Sequence, residues 1–295
     1  MTELMTKIWV AVVKSMASWT PASRARLARL IGWLFWTLVP KRRHVALTNL
    51  RLCFPNWTEE KRVAVAKSCF NNLARAALDH GVLWAGSRED IANFVRFDDG
   101  VIEAITDEEN HRPLIVIAPH FAGLDASGIA LNLYVRGVSL YQKQSNPIWD
   151  KAAFEGRKRF SDPILIAKGK HNDLRPVIRA MRDGFPFYYL PDMDHGIRNG
   201  IFIPFFGVPA ATLPMASRLA KLTGAKVMMM MPEMTEHGYQ VHATGIWENF
   251  PTDDYAADTL RVTQELERWV EKFPDQYMWT HRRFKTRPEG EPSVY

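Results

Sequence analysis

One stretch of the chain sets a histidine, a glycine turn and an acid close together: Ala118-Pro119-His120-Phe121-Ala122-Gly123-Leu124-Asp125. Just before it, Leu114-Ile115-Val116-Ile117-Ala118 is a continuous apolar run of the length and kind that buried strands have. His120 then falls at the C-terminal end of a strand, where α/β sheets gather ligands and reacting groups. Positions five apart diverge on a regular helix, but a turn at Gly123 can bring the Asp125 carboxylate to the imidazole. A carboxylate on one ring nitrogen fixes the tautomer and raises the basicity of the other. That nitrogen can take the proton of a hydroxyl as the hydroxyl attacks a thioester, with backbone N–H groups near Gly123 available to the developing oxyanion. The alternative is a satisfied strand-end histidine followed by a helix-capping Asp125, and the spacing alone leaves both open.

A second group of polar residues, Tyr189-Leu190-Pro191-Asp192-Met193-Asp194-His195-Gly196, follows another strand-like run. Asp192 and Asp194 could together hold a divalent cation, as in DxD sugar transferases, or could belong to a solvated loop. Phe202, Phe205 and Phe206 come soon after and would suit an apolar, acyl-chain-sized pocket. Near the C-terminus, Tyr277-Met278-Trp279-Thr280-His281-Arg282-Arg283-Phe284-Lys285-Thr286-Arg287 interleaves cations with aromatics. It reads either as a solvated basic tail or as a contact for phosphate or anionic lipid.

The elements that must position these residues fall into two textures. Up to about position 110 the periodicity is helical. Leu4, Met5, Ile8, Trp9, Val12, Val13 and Met16 recur at helical spacing. After Pro21 a second helix carries Leu27, Leu30, Ile31, Leu34, Phe35 and Leu38, widened by Trp33 and Trp36 and ended by Pro40-Lys41-Arg42-Arg43. Apolar helices with Trp and flanking cations suit the headgroup boundary of a membrane. Another helix is expected over 59–84, opened by Thr58-Glu59-Glu60. From about 111 short strands alternate with helices. Strands are expected at 114–118, 138–142, 164–167, 185–190, 227–231 and 239–246, and helices at 124–134, 147–160, 173–182, 210–223 and 255–272. A Gly/Pro-rich loop fills 191–209. The fold class is therefore α/β, a mixed central sheet flanked by helices. The expected organisation is a membrane-associated helical segment over 1–45 and a catalytic domain over 46–295, the latter with a helical preface to about 110 and an α/β core beyond.

Composition narrows the function. The chain has 295 residues, 47% hydrophobic and 24% charged, which suits a globular protein rather than a disordered one. Its 38 Lys and Arg against 32 Asp and Glu leave +6, compatible with an anionic membrane surface or an acidic protein partner. Nucleic acid is not expected, for want of a zinc-finger spacing, an RNA-binding aromatic signature or a dense Lys/Arg stripe. Cys53 and Cys69 lie in no metal or redox spacing and read as reduced core thiols. Neither a signal peptide nor a membrane-crossing helix is expected, the best apolar run being 30–39.

Taken in order, these blocks resemble the late acyltransferases of lipid A biosynthesis, within the wider glycerolipid acyltransferase superfamily. The resemblance is carried by the apolar N-terminal helix, Pro40-Lys41-Arg42-Arg43, Asn49-Leu50-Arg51-Leu52-Cys53-Phe54-Pro55 and the His120 to Asp125 block. It continues through Asn146-Pro147, Gly156-Arg157, Pro191-Asp192-Met193-Asp194-His195-Gly196 and Pro204-Phe205-Phe206-Gly207, into the C-terminal stretch. The resemblance implies transfer of a fatty acyl group from acyl carrier protein to a hydroxyl of a lipid acceptor, at the cytoplasmic face of the inner membrane, without metal or organic cofactor. It implies His120 and Asp125 as a catalytic dyad. Arg157 would bind acceptor or carrier phosphate, and Asp192 would position Arg157 or a sugar hydroxyl. Gly123, Phe205 and Phe206 would complete the substrate site. Asp125 departs from the Glu that most lipid A enzymes carry there, which leaves a lysophospholipid or amino-acid lipid open as an alternative acceptor.

Overall fold

The computed structural model describes residues 3–107, 113–168 and 173–295. Four helices open the chain: α1 (Glu3–Ser15), α2 (Pro21–Leu38), α3 (Pro40–Cys53) and the long α4 (Glu59–Ala85). Two of their starts are set by capping chemistry. Thr20 accepts from the Ser23 N–H ahead of Pro21, and Thr58 accepts from the Lys61 N–H. The Pro40-Lys41-Arg42-Arg43 block does end α2, but it also begins α3, a helix the sequence pattern had hidden. Proline is favoured at the first helical turn, so it is as much a start as a stop. Helix α3 runs through position 45.

Helices α1 and α2 are turned with most of their large apolar residues outward. Arg24, Ala28 and Gly32 are the buried positions of α2, while Leu30, Trp33, Leu34, Phe35 and Leu38 are exposed. A Cβ on Gly32 would stand 2.2 Å from the Asn71 side chain, so glycine is what lets α2 lie against α4. In α1, Thr6, Val10 and Val13 are buried, and Leu4, Met5, Ile8, Trp9 and Val12 face outward. Among the described residues no helix is long and apolar enough to cross a membrane.

The rest is α/β. After α5 (Arg88–Phe94), β1 (Val95–Phe97) and α6 (Val101–Thr106) come β2 (Leu114–Ile117), α7 (Leu124–Leu131), β3 (Val138–Tyr141), α8 (Pro147–Arg157), β4 (Ile164–Ala167), α9 (Arg175–Arg182) and β5 (Phe187–Tyr189). There follow β6 (Ile201–Phe205), β7 (Val208–Thr212), α10 (Met215–Thr223), β8 (Lys226–Met234), β9 (Tyr239–Ala243) and α11 (Tyr255–Lys272). One sheet has the order β1-β9-β8-β2-β5-β3-β4, parallel except where β8 meets β9. It is buried on both faces, as the mixed sheet flanked by helices requires. In β8, Met228 and Met230 enter one core while Met229 and Met231 enter the other.

Two expectations fail here. The segment expected as a loop over 191–209 contains β6 and the start of β7, an antiparallel hairpin whose second strand runs on to Thr212, so α10 starts at Met215 rather than near 210. Phe206 and Gly207 both take positive φ (50° and 77°) at its tip, the conformation of a two-residue hairpin turn. The C-terminal segment is not a solvated tail. Tyr277, Trp279, His281, Arg283 and Phe284 are buried, and the segment crosses the mouth of the sheet as a strap.

Candidate active site

The site lies at the C-terminal ends of β2 and β5, the middle of the sheet. These strands pair in parallel with Ile117 opposite Tyr189, and the ladder continues with the Ala118 N–H donating to the Tyr189 carbonyl at 2.7 Å. Counting three residues onward from each member of that pair gives His120 and Asp192. Side chains set by one register at the end of neighbouring strands are held to one geometry. The result is a two-point contact: His120 Nδ1 lies 2.7 Å from Asp192 Oδ1, and the His120 backbone N–H donates to Oδ2 at 2.9 Å.

The carboxylate on His120 is therefore Asp192 and not Asp125. This corrects two readings together, the His120–Asp125 dyad and the placing of Asp192 on Arg157 or a sugar. Asp125 is in the first turn of α7, and it is directed towards α8 and α4. Arg157 donates to it from Nε at 3.1 Å and from one terminal nitrogen at 2.8 and 2.9 Å, and His80 Nε2 of α4 lies 3.1 Å from Oδ2. Helix α7 begins directly after Gly123, which fixes the direction of Asp125. A Cβ there would stand 2.7 Å from the Tyr239 ring and 2.8 Å from Pro232, so the turn is possible only for glycine. Among the described residues the Gly123 N–H has no acceptor, whereas those of Phe121, Ala122 and Leu124 donate to carbonyls.

The two carboxylates differ in setting. Asp192 is buried; burial pushes its carboxyl up, but the His120 imidazole and N–H hold it well below the usual carboxylate range. Asp125 is 33% exposed, and its carboxyl is likewise held low, burial being outweighed by Arg157 and His80. Both are ionised at neutral pH. His120 Nε2 has no partner among the described residues and is the one ring nitrogen left for chemistry.

The strap, which stood out in the sequence as a basic aromatic block, has a role that the sequence did not reveal. The Met278 N–H donates to the His120 carbonyl at 2.9 Å, and the Ala122 N–H donates to the Gln276 carbonyl at 2.8 Å. The nitrogens of His281 lie 2.6 Å from the Met278 carbonyl and 3.2 Å from that of Asp192. Burial pushes the His281 pKa down to about 4, so the ring is neutral. Asn49 of α3 donates to the carbonyls of Trp279 and His281, both at 2.8 Å. Arg283 is buried and donates to the Ala211 carbonyl and to Thr212, leaving it unavailable to phosphate or lipid.

Other expectations are revised on contact geometry. Asp192 and Asp194 do not converge on a common point: Asp194 accepts from the Gly196 and Thr286 N–H groups and from the Thr286 hydroxyl, tying the loop to the strap. Phe205 is sealed in the core against Tyr277 and Phe284, and Phe206 forms the hairpin tip against Phe54. Strand alternation buries Phe205, and the two-residue turn claims Phe206. Arg157 is paired with Asp125 rather than standing free. Cys53 and Cys69 are buried thiols. Burial pushes both pKa values up, Cys69 to about 12, so neither is a thiolate nucleophile.

A strand-end histidine with an ionised carboxylate on Nδ1 and an open Nε2 is general-base machinery, and an enzyme of the acyltransferase class is what the comparisons return. The chain belongs to the bacterial lipid A biosynthesis acyltransferase family, whose model matches residues 2–286. It is 30% identical over 274 residues to the lipid A biosynthesis lauroyltransferase of Escherichia coli, covering 92% of this chain and 88% of that protein. The palmitoleoyltransferase of the same organism is 30% identical over 273 residues (91% and 87%), and its myristoyltransferase is 29% identical over 293 residues (97% and 88%). Among solved structures, the 1-acyl-sn-glycerophosphate acyltransferase of Thermotoga maritima aligns with a TM-score of 0.42 at 14% identity, covering 86% of this chain and 98% of that one. This last likeness is too distant to argue from.

Proposed function

We propose that this lipid O-acyltransferase moves a fatty acyl group from acyl carrier protein to a hydroxyl of a lipid A precursor, with His120 as the base. The observation that carries the reading is the 2.7 Å contact of His120 Nδ1 with buried Asp192, which leaves Nε2 without a partner among the described residues. The acceptor oxygen attacks the thioester carbonyl as its proton passes to Nε2. Asp192 keeps the ring in the right tautomer and stabilises the imidazolium. The tetrahedral oxyanion is within the province of the Gly123 N–H. Collapse breaks the C–S bond, and the imidazolium returns its proton to the departing carrier thiolate. Asp125 does not touch the base; with Arg157 it forms the other side of the cleft and orients the acceptor, whose phosphates suit a guanidinium.

The enzyme works from the cytoplasmic surface of the inner membrane. The outward apolar faces of α1 and α2 support this, since exposed large apolar side chains that include Trp9 and Trp33 have their natural complement at the headgroup boundary. No metal or organic cofactor enters the scheme. The test is purified enzyme in detergent given an acyl carrier protein thioester and a lipid A precursor, with the product ester read by mass spectrometry. His120→Ala should lower kcat by roughly 10²–10⁴-fold while the protein stays folded. An unchanged kcat in that variant, or no ester from the wild type, would overturn the scheme. Flotation with anionic vesicles that survives high salt would support the membrane role, and full recovery in the soluble fraction would remove it.

A further inference from the structure

His80 belongs to no sequence motif and was not among the expected site residues, yet it touches the cleft. It lies on α4 behind Asp125, its side chain 15% exposed, with the Trp84 ring edge-on at 4.8 Å. Its two nitrogens both meet oxygens: Nδ1 lies 2.8 Å from the Ala76 carbonyl and Nε2 lies 3.1 Å from Asp125 Oδ2. A carbonyl and an ionised carboxylate are acceptors only. The doubly protonated ring can donate to both, and an ionised carboxylate, unlike the two neutral carbonyls that His281 meets, stabilises its charge.

The neighbourhood is closed around it by packing. The Trp84 ring fills the space where Gly156 has no side chain, a Cβ there being 2.1 Å from it, and this seats α8 on α4. Asn132 donates to the Arg157 carbonyl at 3.0 Å. Of the charged and titratable groups, Asp125 of α7 faces His80 directly, with Arg157 of α8 and the Tyr188 hydroxyl of β5 beyond it. Asp79, adjacent on α4, is turned away to Arg24, Arg75 and Tyr239. Arg159 donates to the carbonyls of Leu83 and Gly86, and α1 offers α4 the apolar Val10 and Val13.

Two cations therefore share one carboxylate. Arg157 uses Nε and one terminal nitrogen on Asp125, while the other terminal nitrogen donates to nothing among the described residues. The Arg157 side chain is 31% exposed. An Arg–Asp pair alone is neutral and holds an anion poorly; a third, cationic partner changes the sign of the cluster.

We propose that His80 is a positioning residue that, as an imidazolium on Asp125, leaves the cluster with one positive charge in excess and so equips the free edge of Arg157 to bind a substrate phosphate. The inference rests on the reading of a phosphorylated lipid acceptor, and it deepens the site by making acceptor affinity depend on the proton of a residue remote from the base. Loss of that proton both removes the excess charge and leaves a bare ring nitrogen against an oxygen, so affinity for a phosphorylated lipid falls as pH rises.

The test is equilibrium binding by the full chain in detergent, using lipid A and its enzymatically dephosphorylated form as probes, at about pH 6 and about pH 9. It needs no turnover, so a failure of the acyl-transfer scheme would not mask it. The wild type should prefer the phosphorylated probe, more strongly at the lower pH. His80→Gln should bind that probe about fivefold to tenfold more weakly at low pH and lose the preference for low pH, keeping only the dependence that the probe's own phosphates bring, as expected when one partly screened charge is removed. His80→Lys keeps a cation and should restore affinity, with the probe's own dependence alone. In kinetics the loss should fall on KM for the acceptor and not on kcat. Equal affinity of the wild type for both probes, or wild-type binding at both pH values in a folded His80→Gln protein, would overturn the proposal.

Discussion

The two sides of the cleft have opposite constructions. On one side His120 and Asp192 are fixed by the register of two central strands and held by the strap, the His120 side chain 16% exposed and Asp192 1% exposed with each of its side-chain oxygens bonded to His120. On the other side Asp125 and Arg157 come from the first turn of one helix and the last residue of another, about a third exposed, with a guanidinium edge left open. A group that must present one nitrogen at one angle gains from rigidity and from a dry, ionised partner. A group that must receive a flexible anionic lipid gains from access. On the proposed scheme the His120 side takes the proton transfer and the Arg157 side the acceptor.

The largest effect should come from removing the charge on the His120 side. Asp192→Asn keeps the shape but gives the imidazole a neutral partner that no longer stabilises the imidazolium, so kcat should fall by roughly 10²–10⁴-fold with KM for the acceptor nearly unchanged. The fall should persist at high pH, since tautomer and charge are lost together. A kcat within about threefold of wild type would show that Asp192 is a structural acid and that the comparison of the two sides is mistaken.

The His120 side should also be where acid attacks the fold. His281 is held neutral by burial with a pKa of about 4, below the value of about 6.5 that it has in an unfolded chain. A depressed folded pKa means that the contribution is complete above about pH 6.5 and is lost as pH falls towards 4, because the unfolded chain takes up the proton first. The loss across that window should be roughly 3 kcal/mol. His195, lowered by burial and by Lys168, adds a smaller part in the same direction. The carboxylates of Asp192 and Asp125 act only below this range, their folded values lying under the ordinary carboxylate one. Urea midpoints measured from pH 7 to pH 4.5 should drop in the wild type, and His281→Asn should flatten the curve; parallel curves would show that the strap histidine titrates freely.

Much of this architecture could be read from the chain, and what could not shares a cause. The central strands and their order along the chain follow from short apolar runs, and 164–167 and 255–272 match β4 and α11 residue for residue. Local rules failed where a residue has two meanings. Pro40 closes one helix and opens another, and glycine and proline in 191–209 serve a hairpin as readily as a loop. On the site, His120 was legible as a strand-end histidine. Its partner was not, because Asp192 is 72 positions away and becomes its neighbour only once β2 and β5 are known to pair. Proximity in sequence favoured Asp125 instead. Asn49 and His281 lay in blocks that stood out, but their roles were hidden, and His80 gave no local signal at all, for each acts through a contact between distant segments. The apolar stripe of α2 was visible, but only packing tells that Arg24, Ala28 and Gly32 face in while Leu30, Trp33, Leu34, Phe35 and Leu38 face out.

The sharpest discrimination between the two sides is also the smaller effect, in Asp125. If this carboxylate sets the direction of Arg157, Asp125→Ala releases the guanidinium and leaves two cations without their shared anion, while His120 and Asp192 keep every contact they have. The loss should then be roughly tenfold to a hundredfold in kcat/KM for the acceptor, most of it in KM, with the basic pKa of the kcat profile where the wild type has it. Asp125→Glu should be milder, since a carboxylate one methylene longer can still meet Arg157. The measurement is a full pH–rate profile of both variants beside Asp192→Asn. If Asp125→Ala instead depresses kcat as deeply as Asp192→Asn does, Asp125 must reach the imidazole during turnover. That would require the turn at Gly123 to move against the Tyr239 ring and Pro232, where even an added Cβ has no room. The close packing there is the physical reason to expect the two carboxylates to stay in separate roles.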